Sequence, residues 1–240
     1  MNGFDWTIIT FLNRFARRSW FFDQVIGSIA GNNLFKGGLL IAILWGLWFT
    51  RSDRGQEQIR KSILVIFVGT FVGLFITRVL VDILPFRPRP IHNAALPIVL
   101  PCGISKEMLK DYAMSFPSDH ATLFFGLATG IFLISRRMGF LVVAYVFLNM
   151  FLLRVYLGAH YPTDIIVGGL IGAVSVMLAN TPFVKRHIVD KIFDVSLKYP
   201  RIFYGIFFLV SYQTATLFDD SRKLASGALK FLKMMAGRLG

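Results

Sequence analysis

Charge is what this sequence has least of. Only 16% of its 240 residues are Asp, Glu, Lys or Arg, where a soluble domain carries about a quarter. With 55% hydrophobic residues and long apolar runs, the shortage argues against a soluble domain and for one integral membrane domain. Cysteine is nearly absent as well. The lone Cys102 excludes an internal disulfide. There is no HExxH, no Cys pair and no carboxylate cluster of magnesium type, so no metal and no cofactor is expected. A P-loop, a Gly-x-Ser-x-Gly elbow, internal repeats and low-complexity segments are missing too. So is a charged start followed by a clean apolar core: Asp5, Arg14, Arg17 and Arg18 interrupt the opening residues, which argues against a cleavable leader.

What charge there is leans one way. The formal net charge is +13. On a membrane chain the surplus reads as basic loops that fix orientation and meet anionic lipid, with no nucleic-acid partner. The hydropathy pattern predicts an all-α, polytopic membrane helical bundle of about six spans, with amphipathic segments at both termini. Residues 1–33 are expected as an interfacial amphipathic segment, with Phe4, Trp6, Phe11 and Phe15 among its arginines. Residues 34–218 form the transmembrane domain and 219–240 a basic amphipathic tail. The spans are expected at Leu34–Phe49, Ser62–Leu84, Pro117–Ile134, Phe140–Leu157, Thr163–Leu178 and Ile202–Phe218, each near the ~20 residues a bilayer needs. Arg136 and Arg137 are expected in a tight turn, and Ser105 is expected to cap a short helix to Tyr112. Gly168, Gly169, Gly172 and Ala173 mark a face for close helix packing. Basic residues concentrate in 51–61, 136–137 and 185–201 and thin out in 85–118 and 158–162. The positive-inside rule then turns the second set of loops to the periplasm or cell exterior of an inner (plasma) membrane.

Three polar knots fall on that outer side: Arg87-Pro88-Arg89-Pro90, then Pro117-Ser118-Asp119-His120, then Arg154 through His160 to Asp164. One charge near a span end can simply snorkel to the interface. A His pair, an Arg and an Asp arriving together at one depth fits that reading poorly. His160 and Asp164 are one helical turn apart, so the carboxylate is expected to accept from one ring nitrogen and leave the other free to attack. His120 is a second imidazole, able to serve as the acid. Ser118 and the amides opening its helix suit an anion. Arg87 and Arg89 offer forked donors to phosphate oxygens. Arg78 and Asp82 are spaced for an ion pair. His92, His187 and Cys102 look incidental.

These knots resemble the three signature motifs of the type 2 phosphatidic-acid phosphatase superfamily of membrane lipid phosphatases: Lys-x6-Arg-Pro, Pro-Ser-Gly-His and Ser-Arg-x5-His-x3-Asp. The resemblance runs over roughly 78–170, with Asp119 in place of the Gly and Leu153 in place of the Ser. The Phe-Pro-Ser-Asp-His-Ala-Thr form is similar to bacterial undecaprenyl-diphosphate phosphatases. The resemblance implies metal-independent hydrolysis of a lipid phosphate or diphosphate through a phosphohistidine. His160 would be the nucleophile, Asp164 its orienting group and His120 the acid. Arg87, Arg89, Ser118, Asp119 and Arg154 would make the phosphate-binding set. The lysine expected seven residues before Arg89 falls at Asp82, which cannot bind phosphate. Transfer of the phosphate to a lipid or sugar acceptor, action on phosphatidylglycerolphosphate or phosphatidate, and a non-enzymatic lipid-binding role are the rival readings.

Overall fold

The computed structural model describes residues 2–50, 55–105 and 114–236. The helix expected from Ser105 to Tyr112 lies outside them apart from its first residue. Among the described residues the secondary structure is all helical, without a strand. Two short helices come first: α1 (Gly3–Asn13) and α2 (Trp20–Gly31). Next are α3 (Leu34–Phe49), which opens with a π-helical turn, and the long α4 (Gln56–Ile83). After the 84–118 connection come α5 (Asp119–Ile134), α6 (Arg136–Tyr156) and α7 (Pro162–Ala179). A helical stretch 182–198, here α8, leads to α9 (Pro200–Ala215) and α10 (Asp219–Ala236).

Three helices, α4, α6 and α7, are long and apolar enough to cross a membrane. The number rises to five if two bent pairs each count as one span: α2 with α3, bent by 68°, and α9 with the start of α10, bent by 86°. Six spans were expected. The difference lies in α5, whose 16 residues reach only ~24 Å at the helical rise, short of a hydrocarbon core of about 30 Å. Two local expectations also change. Arg136 and Arg137 open α6 instead of forming a turn, because Ser135 caps that helix through the Met138 amide. The basic stretch 185–201 is mostly helix, with Lys61 of α4 bridging to its Asp190 at 2.8 Å.

Helices α4, α5 and α7 make the centre of the bundle, with α6 against α5. Glycine sets the closest approach. A Cβ on Gly172 of α7 would stand 2.0 Å from the Thr122 carbonyl oxygen, and one on Gly168 would stand 2.3 Å from that of Ser118. The backbones of α5 and α7 therefore touch beside the second polar knot, as small residues permit in membrane helices. One turn below, the Thr77 and Thr122 hydroxyls of α4 and α5 meet at 2.8 Å, fully buried.

The terminal segments are tied to this centre. Exposed Phe4, Phe11, Trp20 and Phe21 give α1 and α2 their interfacial character, yet Asp5 and Asp23 are wholly buried. Asp23 accepts from the Tyr156 hydroxyl and the Cys102 amide. The α9–α10 bend falls at Leu217 and Phe218, both with positive φ. It packs on the start of α3: a Cβ on Gly37 would lie 2.4 Å from the Ala215 carbonyl.

Candidate active site

The site assembles where three helices begin or end. Ser118 caps α5, its Oγ accepting from the Ala121 amide at 3.3 Å, which puts Asp119 and His120 in the first turn. Arg154 lies in the last turn of α6. The chain then reverses through Gly158, whose φ of 67° favours glycine. Its carbonyl accepts from the Ile91 amide at 3.0 Å, which draws in the Arg89–Pro90 segment. Pro162 at the first position of α7 leaves Asp164 in its opening turn. The Ser118 amide donates to the Asp164 carbonyl at 3.1 Å, locking the α5 and α7 termini together.

Within this junction the rings of His120 and His160 lie 6.5 Å apart, centroid to centroid. His160 is almost fully buried. Its Nδ1 faces the Ser115 carbonyl at 3.0 Å. A carbonyl oxygen only accepts, so Nδ1 carries the hydrogen and Nε2 carries the lone pair. The tautomer expected for a nucleophile is therefore present, but a different acceptor sets it. Asp164 Oδ2 is 3.7 Å from Nδ1, too far for a hydrogen bond. The carboxylate is engaged elsewhere: it takes the Ser115 hydroxyl, the Tyr161 amide at 2.8 Å and Arg87 at 2.7 Å. A fully buried carboxylate needs such partners. Asp164 thus orients His160 indirectly, by fixing the residue whose carbonyl holds the ring.

Arg87, expected among the phosphate-binding residues, is held by protein groups. One guanidinium nitrogen donates to Asp164 and to Thr163 Oγ1, and the other to Asp5 at 2.6 Å. Its plane stacks over Tyr161 at 3.9 Å, whose phenol is pushed up by burial and so stays neutral. With two carboxylates bound, Arg87 is a brace behind the site with little left for phosphate. Asp119 departs from expectation as well. A carboxylate only accepts, and this one pairs with Arg78 and accepts from His120 Nδ1 at 3.0 Å. Arg78 therefore reaches Asp119 and not Asp82, which is exposed at the far end of α4.

The remaining cations fit. Among the described residues, Arg89 Nε and one terminal nitrogen of Arg154 are buried with no hydrogen-bond acceptor. The two guanidinium charges lie within electrostatic reach of each other, with Asp119 also acting on Arg154. Buried donors left unmatched are uncommon and call for an explanation. An anion between them would supply one.

Sequence reasoning missed several contributors. Ser115 sits just before the second knot but gave no signal, because it acts through its carbonyl. Asp5 and Thr163 become relevant only once α1 folds against α7. Lys36, at the α2–α3 bend, lies within electrostatic reach of Arg154 and Asp219. Arg222 of α10 comes within 3.6 Å of Asp119. Both bends thus bring a cation towards the pocket.

A helical bundle of membrane type thus gathers two imidazoles and two arginines at its helix ends. The sequence matches the PAP2 superfamily over residues 61–187, more than half of the chain, and the protein belongs to that superfamily. It is 28% identical over 130 residues to the bacitracin transport permease protein BcrC of Bacillus licheniformis, covering 54% of this chain and 58% of that one. It is 32% identical over 137 residues to a decaprenylphosphoryl-5-phosphoribose phosphatase of Mycobacterium tuberculosis, covering 57% and 66%. A shorter match, 46% identical over 61 residues, reaches the lipid A 4'-phosphatase of Bacteroides thetaiotaomicron, covering 24% and 26%. The chain thus spans less than two thirds of each of these relatives. The crystal structure of Aquifex aeolicus LpxE is similar with a TM-score of 0.49 and 23% identity, over 72% of this chain and 92% of that one.

Proposed function

We propose that this protein is a membrane phosphatase that hydrolyses a prenyl diphosphate, such as undecaprenyl diphosphate, or a related lipid phosphate, through a phosphohistidine at His160. The observation that carries the reading is the meeting of the two imidazoles with the unmatched nitrogens of Arg89 and Arg154. The names of two relatives, a decaprenyl-linked phosphatase and a lipid A phosphatase, support a lipid phosphate as substrate.

The chemistry follows from the tautomers. Arg89, Arg154 and the Ser118 hydroxyl hold the phosphoryl oxygens. The His160 Nε2 lone pair attacks phosphorus. The bond from phosphorus to the leaving oxygen breaks, and that oxygen departs with the electron pair and takes a proton from His120. A water then attacks the phosphohistidine, gives a proton back to His120 and releases inorganic phosphate, restoring His160. Each step balances with water as the only co-reactant, and the cycle we propose is metal-independent. Cationic donors fixed in a pocket poor in water are the main source of rate in such transfers. The lipid tail stays among the apolar helices and only the head group enters the pocket, which faces the periplasm or exterior.

The test is release of phosphate by purified protein, in the presence of chelator, from undecaprenyl diphosphate, phosphatidylglycerol phosphate and phosphatidate. Release from at least one is expected. His160→Ala should abolish it while the protein still elutes as a folded species. Full activity in that variant would refute the nucleophile.

A further inference from the structure

The second knot departs from the superfamily pattern at Asp119. A carboxylate beside a phosphate pocket repels the ligand unless it is doing something else. Here it is fully committed. One oxygen accepts from the His120 amide at 2.8 Å and from His120 Nδ1 at 3.0 Å. The other pairs with Arg78 of α4, and Arg222 of α10 stands 3.6 Å away. The arginines lie 144 positions apart in the chain and converge on one side-chain oxygen. They neutralise the carboxylate and fix its plane. Because a carboxylate accepts only, Nδ1 of His120 carries a hydrogen; Nε2 is the atom left for the substrate, and it acts as the acid once a second proton there has made the ring an imidazolium.

Resting on the phosphatase reading above, we propose that Asp119 is the positioning residue for the acid at His120. Held by Arg78 and Arg222, it turns Nε2 towards the leaving oxygen and stabilises the imidazolium that delivers the proton. This carboxylate–imidazole pair on the acid parallels, on the opposite side of the pocket, the hydrogen bond that fixes His160. It also gives the tail a task in the site: α10 bends by 86° from α9, and its first turn delivers Arg222.

The role can be separated from simple anion binding and from folding by changing the leaving group. An alkoxide leaves poorly unless protonated, whereas 4-nitrophenolate leaves without help. Steady-state kcat and KM would be measured for wild type, Asp119→Asn, Asp119→Gly and Arg222→Ala on dodecyl phosphate and on 4-nitrophenyl phosphate. Positioning of an acid predicts that Asp119→Asn and Asp119→Gly lose about tenfold or more in kcat on the alkyl ester, in keeping with the 10²–10⁴ range of general acid–base catalysis. They should lose little on the aryl ester, with KM nearly constant. Arg222→Ala, which keeps the carboxylate, should show the same selectivity more weakly. Equal losses on both esters in all three variants, or a change confined to KM, would overturn the proposal and leave the phosphatase reading intact. His160→Ala, run alongside, reports on that reading separately, because it must be inactive on both esters.

Discussion

Arg89 and Arg154 each bury a guanidinium nitrogen without an acceptor. An unmatched buried donor costs about 1–3 kcal/mol, which a phosphate oxygen would offset on binding. Replacing either arginine by Ala is therefore expected to lower kcat/KM for phosphate release at least tenfold. Lys at the same position should not restore it, since an ammonium cannot copy the planar fork. A fully active Arg154→Lys enzyme would mean that only charge matters there. These two residues were legible in the sequence, as were His120 and His160, because each lies at a fixed offset within a short motif at a span end. The contacts that spacing along the chain did not reveal have a common cause. Arg87 looked free for phosphate because its partners, Asp5 and Asp164, lie 82 and 77 positions away. Asp82 looked like the partner of Arg78 because helical spacing reports only local neighbours. The actual partner, Asp119, is 41 positions on.

At the level of helices, the apolar runs located nearly every element, because burial of backbone polar groups in lipid leaves few alternatives to helix. They placed this span at Pro117–Ile134; what they did not weigh is that its helical part, Asp119–Ile134, is too short to cross. The glycine run in α7 was read correctly as a packing face. A Cβ on Gly172 would meet the Thr122 carbonyl, a backbone atom with no flexible side chain to yield. Gly172→Ala should force α5 and α7 apart, lowering the melting temperature in detergent by several degrees and reducing activity together with it. Gly46 of α3 has open space where its Cβ would go, so Gly46→Ala should be tolerated in the same assay. Overpacking of this kind costs about 1–3 kcal/mol in well-packed interiors. Equal melting temperatures for the two variants would show that the α5–α7 seam can relax.

For the whole molecule, the question is which side of the bilayer the pocket opens to. Helix α4 has 28 residues, ~42 Å at the helical rise, so its two ends must emerge on opposite faces. Gln56 lies at one end and Arg78, joined to Asp119 of the pocket, near the other. Basic residues cluster at the Gln56 end, through Arg60, Lys61 and the 182–198 helix that Lys61 touches, and the positive-inside rule predicts the cytoplasmic side for that end. The C-terminal helix opposes the trend. It is basic, yet Arg222 ties its first turn to Asp119, and that contact keeps its start on the same side as the pocket, against the charge count. Single cysteines in a Cys102→Ser background test all of this at once. Ala94→Cys in the outer connection and Leu224→Cys on α10, both at exposed positions, should react with a membrane-impermeant maleimide on intact cells. Gln58→Cys at the exposed start of α4 should react only after permeabilisation. Labelling of Ala94→Cys and Gln58→Cys in the reverse order would turn the pocket to the cytoplasm. Protection of Leu224→Cys alone would detach the tail from the site and remove Arg222 from the clamp on Asp119.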